Sequence, residues 1–494
     1  MILRINGNIK RYYVETLLMI FFPGAKFPEN EEETDETVVA TVSLTENDGS
    51  VRAEVELKQG EKKTTAEAVG TLDGDEELKR KIAVGDAFMK AGEQFTGITP
   101  PWGILTGVRP AKVASEYLKS GMSTKDAADS ISREYFVSPI KSKLSVDVAS
   151  AEARIITDEI RRECSVYVGI PFFPTRCAYC SFVSYTSPKL LKLIPDYLTA
   201  LCSDIDGIFS VIRSLGMRVS TVYIGGGTPT ILTAEQMKIL LSKIREHVSE
   251  LDEFTCEAGR PDTITAEKLR VATEYGVDRI SVNPQTLNDE VLAKIGRAHN
   301  TDMFYRAFET AREAGIKHIN VDLIAGLPYD TTGSFMRSVD GIISLSPENI
   351  TVHTFSVKRS SEFKTEGRFD PSSKTAAESV DYSQKTLHEA GYLPYYMYRQ
   401  KNTVGNQENV GYAKPGHEGL YNIYMMEEVH SIFAAGAGSV TKFVSVPDND
   451  GCVRIERLFQ PKYPYEYLEN FKGSAAHEKL NDMRRMAEDF FVES

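Results

Sequence analysis

The stretch Val219-Ser-Thr-Val-Tyr-Ile224, followed by Gly225-Gly-Gly-Thr-Pro229 and then by the helical pattern Glu235 to Val248, decides the fold. A β-branched run, a turn of small residues and an amphipathic segment carrying Met237, Ile239, Leu240, Leu241 and Ile244 make one strand–loop–helix unit. The unit recurs. Strand-like runs at Val166 to Ile170, Phe254 to Ala258, Arg279 to Val282, Ile319 to Ile324 and Ile350 to Phe355 alternate with helical segments such as Ala266 to Tyr275. Consecutive units of this kind predict an α/β fold whose strands run parallel with right-handed crossovers. Closed or partly closed, the sheet is a TIM-like (β/α)6 barrel, with its site at the C-terminal ends of the strands.

Those ends are where the unusual residues fall. The first strand runs into Pro171-Phe-Phe-Pro-Thr-Arg-Cys-Ala-Tyr-Cys180, the second into Gly225-Gly-Gly-Thr-Pro229 and the third into Glu257-Ala-Gly-Arg-Pro-Asp262. The fourth continues into Asn283-Pro-Gln285, and the fifth, Val321-Asp-Leu-Ile324, into Gly326-Leu-Pro328. All are expected to face one mouth.

Around this core, 494 residues leave room for two flanking regions. Residues 1–164 read as an α+β domain, with a helix near Tyr12 to Phe22, an acidic loop from Asn30 to Glu36 and strands alternating between Thr37 and Gly70. The only Trp lies in the Pro/Gly-rich stretch Pro100 to Pro110, which reads as a domain connection. Residues 165–371 form the barrel core, and 372–494 a mixed C-terminal extension. That extension is read as a helix, the aromatic segment Tyr392 to Gln400, a Gly/Asn-rich loop from Asn402 to Gly419, a small-residue stretch from Ala434 to Ser439 and a terminal amphipathic helix.

A net charge of −13 argues against general binding to a nucleic-acid backbone. Apolar residues at 41% and charged residues at 26% exclude a disordered or fibrous chain. The run Leu17 to Phe22 follows Glu15 and ends at Pro23, so it reads as an amphipathic helix and not a signal peptide. No stretch approaches the roughly 18 apolar residues of a membrane span. The six cysteines, Cys164, Cys177, Cys180, Cys202, Cys256 and Cys452, are unevenly spaced, which fits a reducing cytoplasm better than a disulfide framework.

Cys177 and Cys180 alone make a close pair. They have three chemical readings, a redox dithiol, half of a zinc site, or two ligands of an iron–sulfur cluster, beside the plain one of a loop with two incidental thiols. Zinc would want a second close pair, which the other four cysteines do not provide, and the barrel pattern disfavours a thioredoxin-like unit.

Tyr167-Val-Gly-Ile-Pro-Phe-Phe-Pro-Thr-Arg-Cys-Ala-Tyr-Cys-Ser-Phe182 with Tyr223-Ile-Gly-Gly-Gly-Thr-Pro-Thr230 resembles the radical S-adenosylmethionine (SAM) enzymes of the oxygen-independent coproporphyrinogen III oxidase family, in its coproporphyrinogen dehydrogenase branch. Glu257-Ala-Gly-Arg-Pro-Asp262, Arg399-Gln-Lys-Asn402 and Glu408-Asn-Val-Gly-Tyr-Ala-Lys-Pro-Gly416 carry the resemblance through the barrel and the C-terminal region. Pro101-Trp-Gly-Ile-Leu-Thr-Gly107 extends it more loosely to the N-terminal region.

The resemblance implies two cofactors, a [4Fe-4S] cluster and SAM. The family's C-x-x-x-C-x-x-C loop supplies three thiolates. Here the first position is Phe173, leaving Cys177 and Cys180 as metal ligands, and a phenyl ring has no lone pair for iron. Cys164, upstream of the first strand, is poorly placed to substitute. The resemblance further implies that Tyr167, Tyr179, Gly225, Gly226, Gly227, Thr228, Glu257, Gln285, Arg297 and Asp322 contact SAM, with Glu257 and Arg297 in the catalytic set. An Arg can hold a carboxylate in two-pronged fashion. Each residue also has a plainer reading: a turn for the glycines, packing for the tyrosines, an ion pair for Glu257 and Arg297. Tyr395, Tyr396 and Tyr398 with Arg399 and Lys401 could line a tetrapyrrole pocket or simply pack a strand edge; His299, His353 and His417 read as core or surface histidines. Arg260, Arg297 and Arg399 are the candidate cations for the substrate's carboxylates.

The activity implied is oxidative decarboxylation of coproporphyrinogen III to protoporphyrinogen IX. In the family a 5′-deoxyadenosyl radical takes a propionate hydrogen, and loss of carbon dioxide and an electron leaves a vinyl group. A tetrapyrrole substrate and a reducing donor such as flavodoxin or ferredoxin are the implied partners. The departure at Phe173 implies impaired cluster chemistry in this chain. It adds weight to the alternatives, a haem or tetrapyrrole chaperone and a haem-modifying radical SAM enzyme.

Overall fold

The computed structural model describes all residues except 29–31, 73, 108, 176, 179–185, 357–373, 401–402, 449–451, 473–474 and 493–494, and only the backbone at 475–479 and 492. The chain forms two compact units, the first built mainly from Met1–Ser150 and Met397–Glu408, the second from most of the remainder.

In the first unit, β1 (Ile2–Asn6) lies parallel to β2 (Val39–Asn47), which continues antiparallel into β3 (Ser50–Gln59) and β4 (Lys62–Thr71). The period of two in β3 sorts its residues: Val51, Ala53, Val55 and Leu57 are buried, while Arg52 and Glu54 are exposed. The buried face packs in one core with residues of the helices Arg11–Phe21 and Glu76–Thr96. Asp75 caps the second helix by accepting from Leu78 N at 3.1 Å. Trp102 is no linker residue. It is fully buried and its Nε1 donates to Glu408 Oε2 at 2.8 Å, with Lys141 Nζ on Glu408 Oε1 at 2.8 Å.

The second unit holds the predicted parallel strands: β5 (Cys164–Ile170), β6 (Val219–Gly226), β7 (Glu253–Cys256), β8 (Arg279–Ser281), β9 (His318–Ala325) and β10 (Asn349–Thr354). Each pairs in parallel with the next. Several crossover helices start on side-chain caps, such as the Thr233–Gln236 capping box and Asn300 accepting from Met303 N. Cys164 is the first residue of β5, at the end of the strand away from the mouth.

The C-terminal region completes this sheet. β12 (Glu408–Ala413) pairs with β10 and β11 (Leu393–Arg399) lies beyond β12, while β13 (Ser431–Ala435), β14 (Val440–Val444) and β15 (Ile455–Phe459) extend beyond β5. The order is β11-β12-β10-β9-β8-β7-β6-β5-β13-β14-β15, a linear sheet whose two ends are not paired with each other among the described residues. One expectation is corrected here, that of the 402–419 loop. The expected loop 402–419 contains the fully buried strand β12, antiparallel to β10, and the small-residue stretch at 434 closes β13, parallel to β5.

Candidate functional site at the strand mouth

Each parallel strand delivers side chains where its ladder ends. β5 runs out into the loop bearing Phe173 and Cys177, β6 into Gly225–Thr228, β7 into Glu257 and β8 into Asn283–Gln285, while β9 and β10 present Asp322 and His353. Sequence thus brings Tyr167, Cys177, the glycines, Glu257, Gln285, Arg297 and Asp322 to one end of the sheet. Tyr179 and Cys180 lie outside the described residues, as does Lys401.

The glycine loop is shaped by close contact. Gly227 N donates to Ile170 O at 2.6 Å and Thr228 N to Phe172 O at 2.9 Å, zipping this loop onto the start of the thiol loop. A Cβ at Gly227 would lie 2.4 Å from the Phe172 carbonyl oxygen, and Gly226 takes φ 107°, a value that suits a residue without Cβ. Thr228 is buried beside them.

Cys177 is buried, with Arg297 Nη1 at 3.8 Å from its Sγ. Arg297 Nη2 donates to Asn283 O at 3.1 Å, and Ala178 N donates to Ile295 O at 3.1 Å, so the segment after β8 grips the thiol loop twice. Arg260 supports the same loop: Nη1 donates to Thr175 O at 3.1 Å, while Nε and Nη2 hold Asp262 in a two-pronged pair at 3.1 and 3.0 Å. Arg260 is thereby committed to the protein and not to a substrate carboxylate. Arg399 is too. It is buried, donates to Leu105 O and to Asn406 Oδ1, and lies over the Trp102 ring.

Glu257 accepts from the Tyr223 hydroxyl at 2.6 Å. Burial, with the negative charge of Asp322 nearby, pushes its carboxyl up to about 7, partly offset by the Tyr223 hydrogen bond and by His353. Asp322 accepts from Asn320 Nδ2 at 2.7 Å and faces His353 Nε2 at 3.6 Å. Gln285 is held at φ 73°, a left-handed conformation of the kind that costs of order 1–3 kcal/mol for a residue with a Cβ. Its buried Oε1 has no hydrogen-bond partner among the described residues.

His353 and Tyr223 escaped the sequence reading as site residues. His353 sits at the end of the sixth strand, so the strand-end rule alone could have nominated it. Nothing in the local pattern distinguishes Tyr223 from a packing residue. Tyr395 and Tyr396 are buried in β11, the packing reading of the aromatic segment. His299 is buried beside Pro284, and burial pulls it down to about 4, leaving it neutral.

The donor set suits SAM. Two carboxylates, a guanidinium and an unpartnered buried amide oxygen complement a zwitterionic amino acid with hydroxyl groups. The set does not suit a three-thiolate cluster. In the loop, half-buried Phe173 stands at the first ligand position, Cys177 is the one described thiol and Cys180 completes a set of two. No group of three or more His, Cys, Asp or Glu able to hold a metal occurs among the described residues.

The Radical SAM superfamily signature matches residues 169–340. The oxygen-independent coproporphyrinogen-III oxidase-like protein HemZ of Bacillus subtilis is 37% identical over 457 residues, covering 90% of this chain and 89% of that protein. The heme chaperone HemW of Bacillus subtilis is 34% identical over 281 residues, covering 55% of this chain and 70% of that one. Among solved structures, coproporphyrinogen III oxidase (HemN) from Escherichia coli aligns with a TM-score of 0.47 and 21% identity, over 70% of this chain and 83% of that one. Superfamily membership implies a [4Fe-4S] cluster and SAM, of which the described side chains suit the second. With a HemZ relative matched along nine-tenths of its length and the superfamily signature lying on the parallel strands, the chain belongs to the radical SAM superfamily, in its oxygen-independent coproporphyrinogen-III oxidase-like, HemZ-like family.

Proposed function

We propose that this chain binds SAM at the strand mouth, and that its scaffold is built for oxidative decarboxylation of coproporphyrinogen III to protoporphyrinogen IX. The single observation behind this reading is the convergence of Glu257, Gln285, Arg297 and Asp322 on one mouth beside Cys177. In the proposal, Arg297 holds the SAM carboxylate, and Glu257 and Asp322 accept from its amino and ribose hydroxyl groups. Gly225–Thr228 supplies a backbone wall. SAM would supply the hydrogen-abstracting group of the family's chemistry, but the two-thiol loop offers the cluster one ligand too few. Phe173 therefore leaves this chain impaired.

The test is a pair of measurements. Equilibrium dialysis should show SAM bound by the chain itself. Phe173→Cys, reconstituted anaerobically and supplied with a reduced flavodoxin or ferredoxin, should release carbon dioxide from coproporphyrinogen III. The proposed setting is the cytoplasm, supported by the free thiols of Cys164, Cys177, Cys202, Cys256 and Cys452. No helix among the described residues is long and apolar enough to cross a membrane.

Phe173 and the likeness to HemW support a second reading, a haem or tetrapyrrole carrier that does no radical chemistry. Tight haem binding by the chain together with no decarboxylation by Phe173→Cys would favour it.

A further inference from the structure

Three tyrosine rings form a column through the second unit. Tyr167 on β5 stacks on Tyr223 of β6 with centroids 6.2 Å apart and planes 13° from parallel. Tyr223 in turn stacks on Tyr421 at 4.5 Å and 22°. Stacks of this kind add about 0.5–1.5 kcal/mol per pair beyond the area they bury. The Tyr223 ring lies along its own strand over Gly225: a Cβ there would stand 2.8 Å from Tyr223 Cε1 and 3.2 Å from Tyr167 Cε2. A residue with a Cβ at 225 would therefore displace both rings.

Tyr421 comes from the C-terminal region and is pinned by a second device. It belongs to the helix Leu420–Met426, whose first N–H groups donate to the Glu253 carboxylate, Leu420 at 2.8 Å and Tyr421 at 3.3 Å. Glu253 is paired in turn with Arg279 at 3.1 Å, both side chains almost wholly buried. Arg279 Nη2 also donates to the carbonyls of His417 and Glu418, at 3.1 Å each. Strands β7 and β8 thus fix the helix, the helix fixes Tyr421, and the ring column fixes Tyr223. The one polar atom of Tyr223 ends 2.6 Å from Glu257 Oε1.

We infer that Tyr223 is a positioning residue of the mouth: clamped between Tyr167 and Tyr421 and lying along the bare backbone of Gly225, its hydroxyl holds the Glu257 carboxyl in the orientation that meets SAM. The inference rests on the reading of the mouth as the SAM site. It adds to that reading a residue the family resemblance did not nominate, and it makes the C-terminal helix part of the site's support. The charged and titratable groups acting on Glu257 are Tyr223 from β6, Asp322 from β9 and His353 from β10; the Tyr167 and Tyr421 phenols are neutral, since burial raises both well above the ordinary tyrosine value.

The test is SAM binding by equilibrium dialysis across pH 5.5–9, with thermal melting alongside, on the unaltered chain, Tyr223→Phe and Tyr421→Ala. The phenylalanine keeps the ring column and removes only the hydroxyl. For the unaltered chain, affinity should rise as Glu257 loses its proton near pH 7. For Tyr223→Phe, affinity above that midpoint should be about tenfold weaker, the size expected for one lost hydrogen bond to a carboxylate, and the midpoint should move to higher pH because the carboxylate has lost a donor. Tyr421→Ala, which opens the clamp from outside the strand, should give the same two shifts at smaller size, and it carries the test if Tyr223→Phe folds poorly. Unchanged affinity and midpoint in both variants would overturn the inference while leaving the site reading intact. Weaker binding with an unmoved midpoint would make Tyr223 structural, which also overturns it. If the unaltered chain binds no SAM at any pH, the reading of the mouth fails and takes the inference with it.

Discussion

Gln285 donates its backbone N–H to the Asp322 carbonyl at 3.1 Å, and its own carbonyl accepts from Ile324 N at 2.9 Å, so a left-handed glutamine is stitched onto strand β9. The stitch buries its side chain with an amide oxygen that no described residue satisfies. A buried unsatisfied acceptor costs about 1–3 kcal/mol, so its retention is a stability loss that a ligand would recover. Gln285→Met keeps the volume and removes the acceptor. Chemical denaturation should show the variant as stable as the parent or about 1 kcal/mol more so, while SAM affinity falls at least tenfold. A variant clearly less stable that binds normally would assign Gln285 to the fold alone.

The glycine loop makes a second prediction. A Cβ at Gly227 meets the Phe172 carbonyl oxygen at 2.4 Å, too close for either loop to stay in place. Gly227→Ala should cost about 1–3 kcal/mol in denaturant melts, as overpacking does, and weaken SAM binding by separating the Gly225–Thr228 loop from the thiol loop. Full stability with full binding would show that the two loops are not coupled.

Two ion pairs in one unit should differ sharply. Arg279 and Glu253 are almost wholly buried, and Arg279 also donates to Asn349 Oδ1; removing it leaves a buried carboxylate uncompensated. Arg279→Met should cost about 3–5 kcal/mol. Arg218, which pairs with Asp252 at 2.7 Å on the exposed surface, should cost under about 1 kcal/mol when changed to Ala. Urea titrations of both variants check the contrast, and equal losses would contradict it.

The pH dependence of stability follows from Glu257. Its carboxyl is raised from 4.5 to about 7 in the fold, so the folded chain keeps a proton that the unfolded chain releases, and stability falls as pH rises across that window. His299 and His318 act on the acid side. Burial lowers both from 6.5 to about 4, so stability is also lost as pH drops through that range. Glu257→Gln should abolish the loss between pH 5 and 8 attributable to this residue and leave the acid-side loss in place. Parallel melting curves for parent and variant over that interval would contradict the assignment.

What was legible in the sequence is the part whose cause is local. β5, β6 and β9 carry β-branched runs that lead into Pro171, Gly227 and Gly326, and those ends lie at the mouth. β12 was hidden because Glu408 and Asn409 read as loop residues. Distant partners account for their burial, Trp102 and Lys141 for Glu408 and the Thr354 N–H for Asn409. The same holds for Arg260 and Arg399, whose charges suggested a substrate until their partners in the fold were seen. The resemblance nominated Glu257, but Tyr223 needed the ring column, which joins residues 167, 223 and 421.

In the proposed function the strand mouth holds SAM beside a cluster loop that is one thiolate short. Anaerobic iron–sulfur reconstitution of this chain beside Phe173→Cys tests it most directly, with iron counted per chain and the visible spectrum followed over hours. The chain with Phe173 should hold fewer than four irons or lose its spectrum quickly, and Phe173→Cys should hold four stably. Four irons per chain with a lasting visible spectrum in the presence of Phe173 would contradict the account.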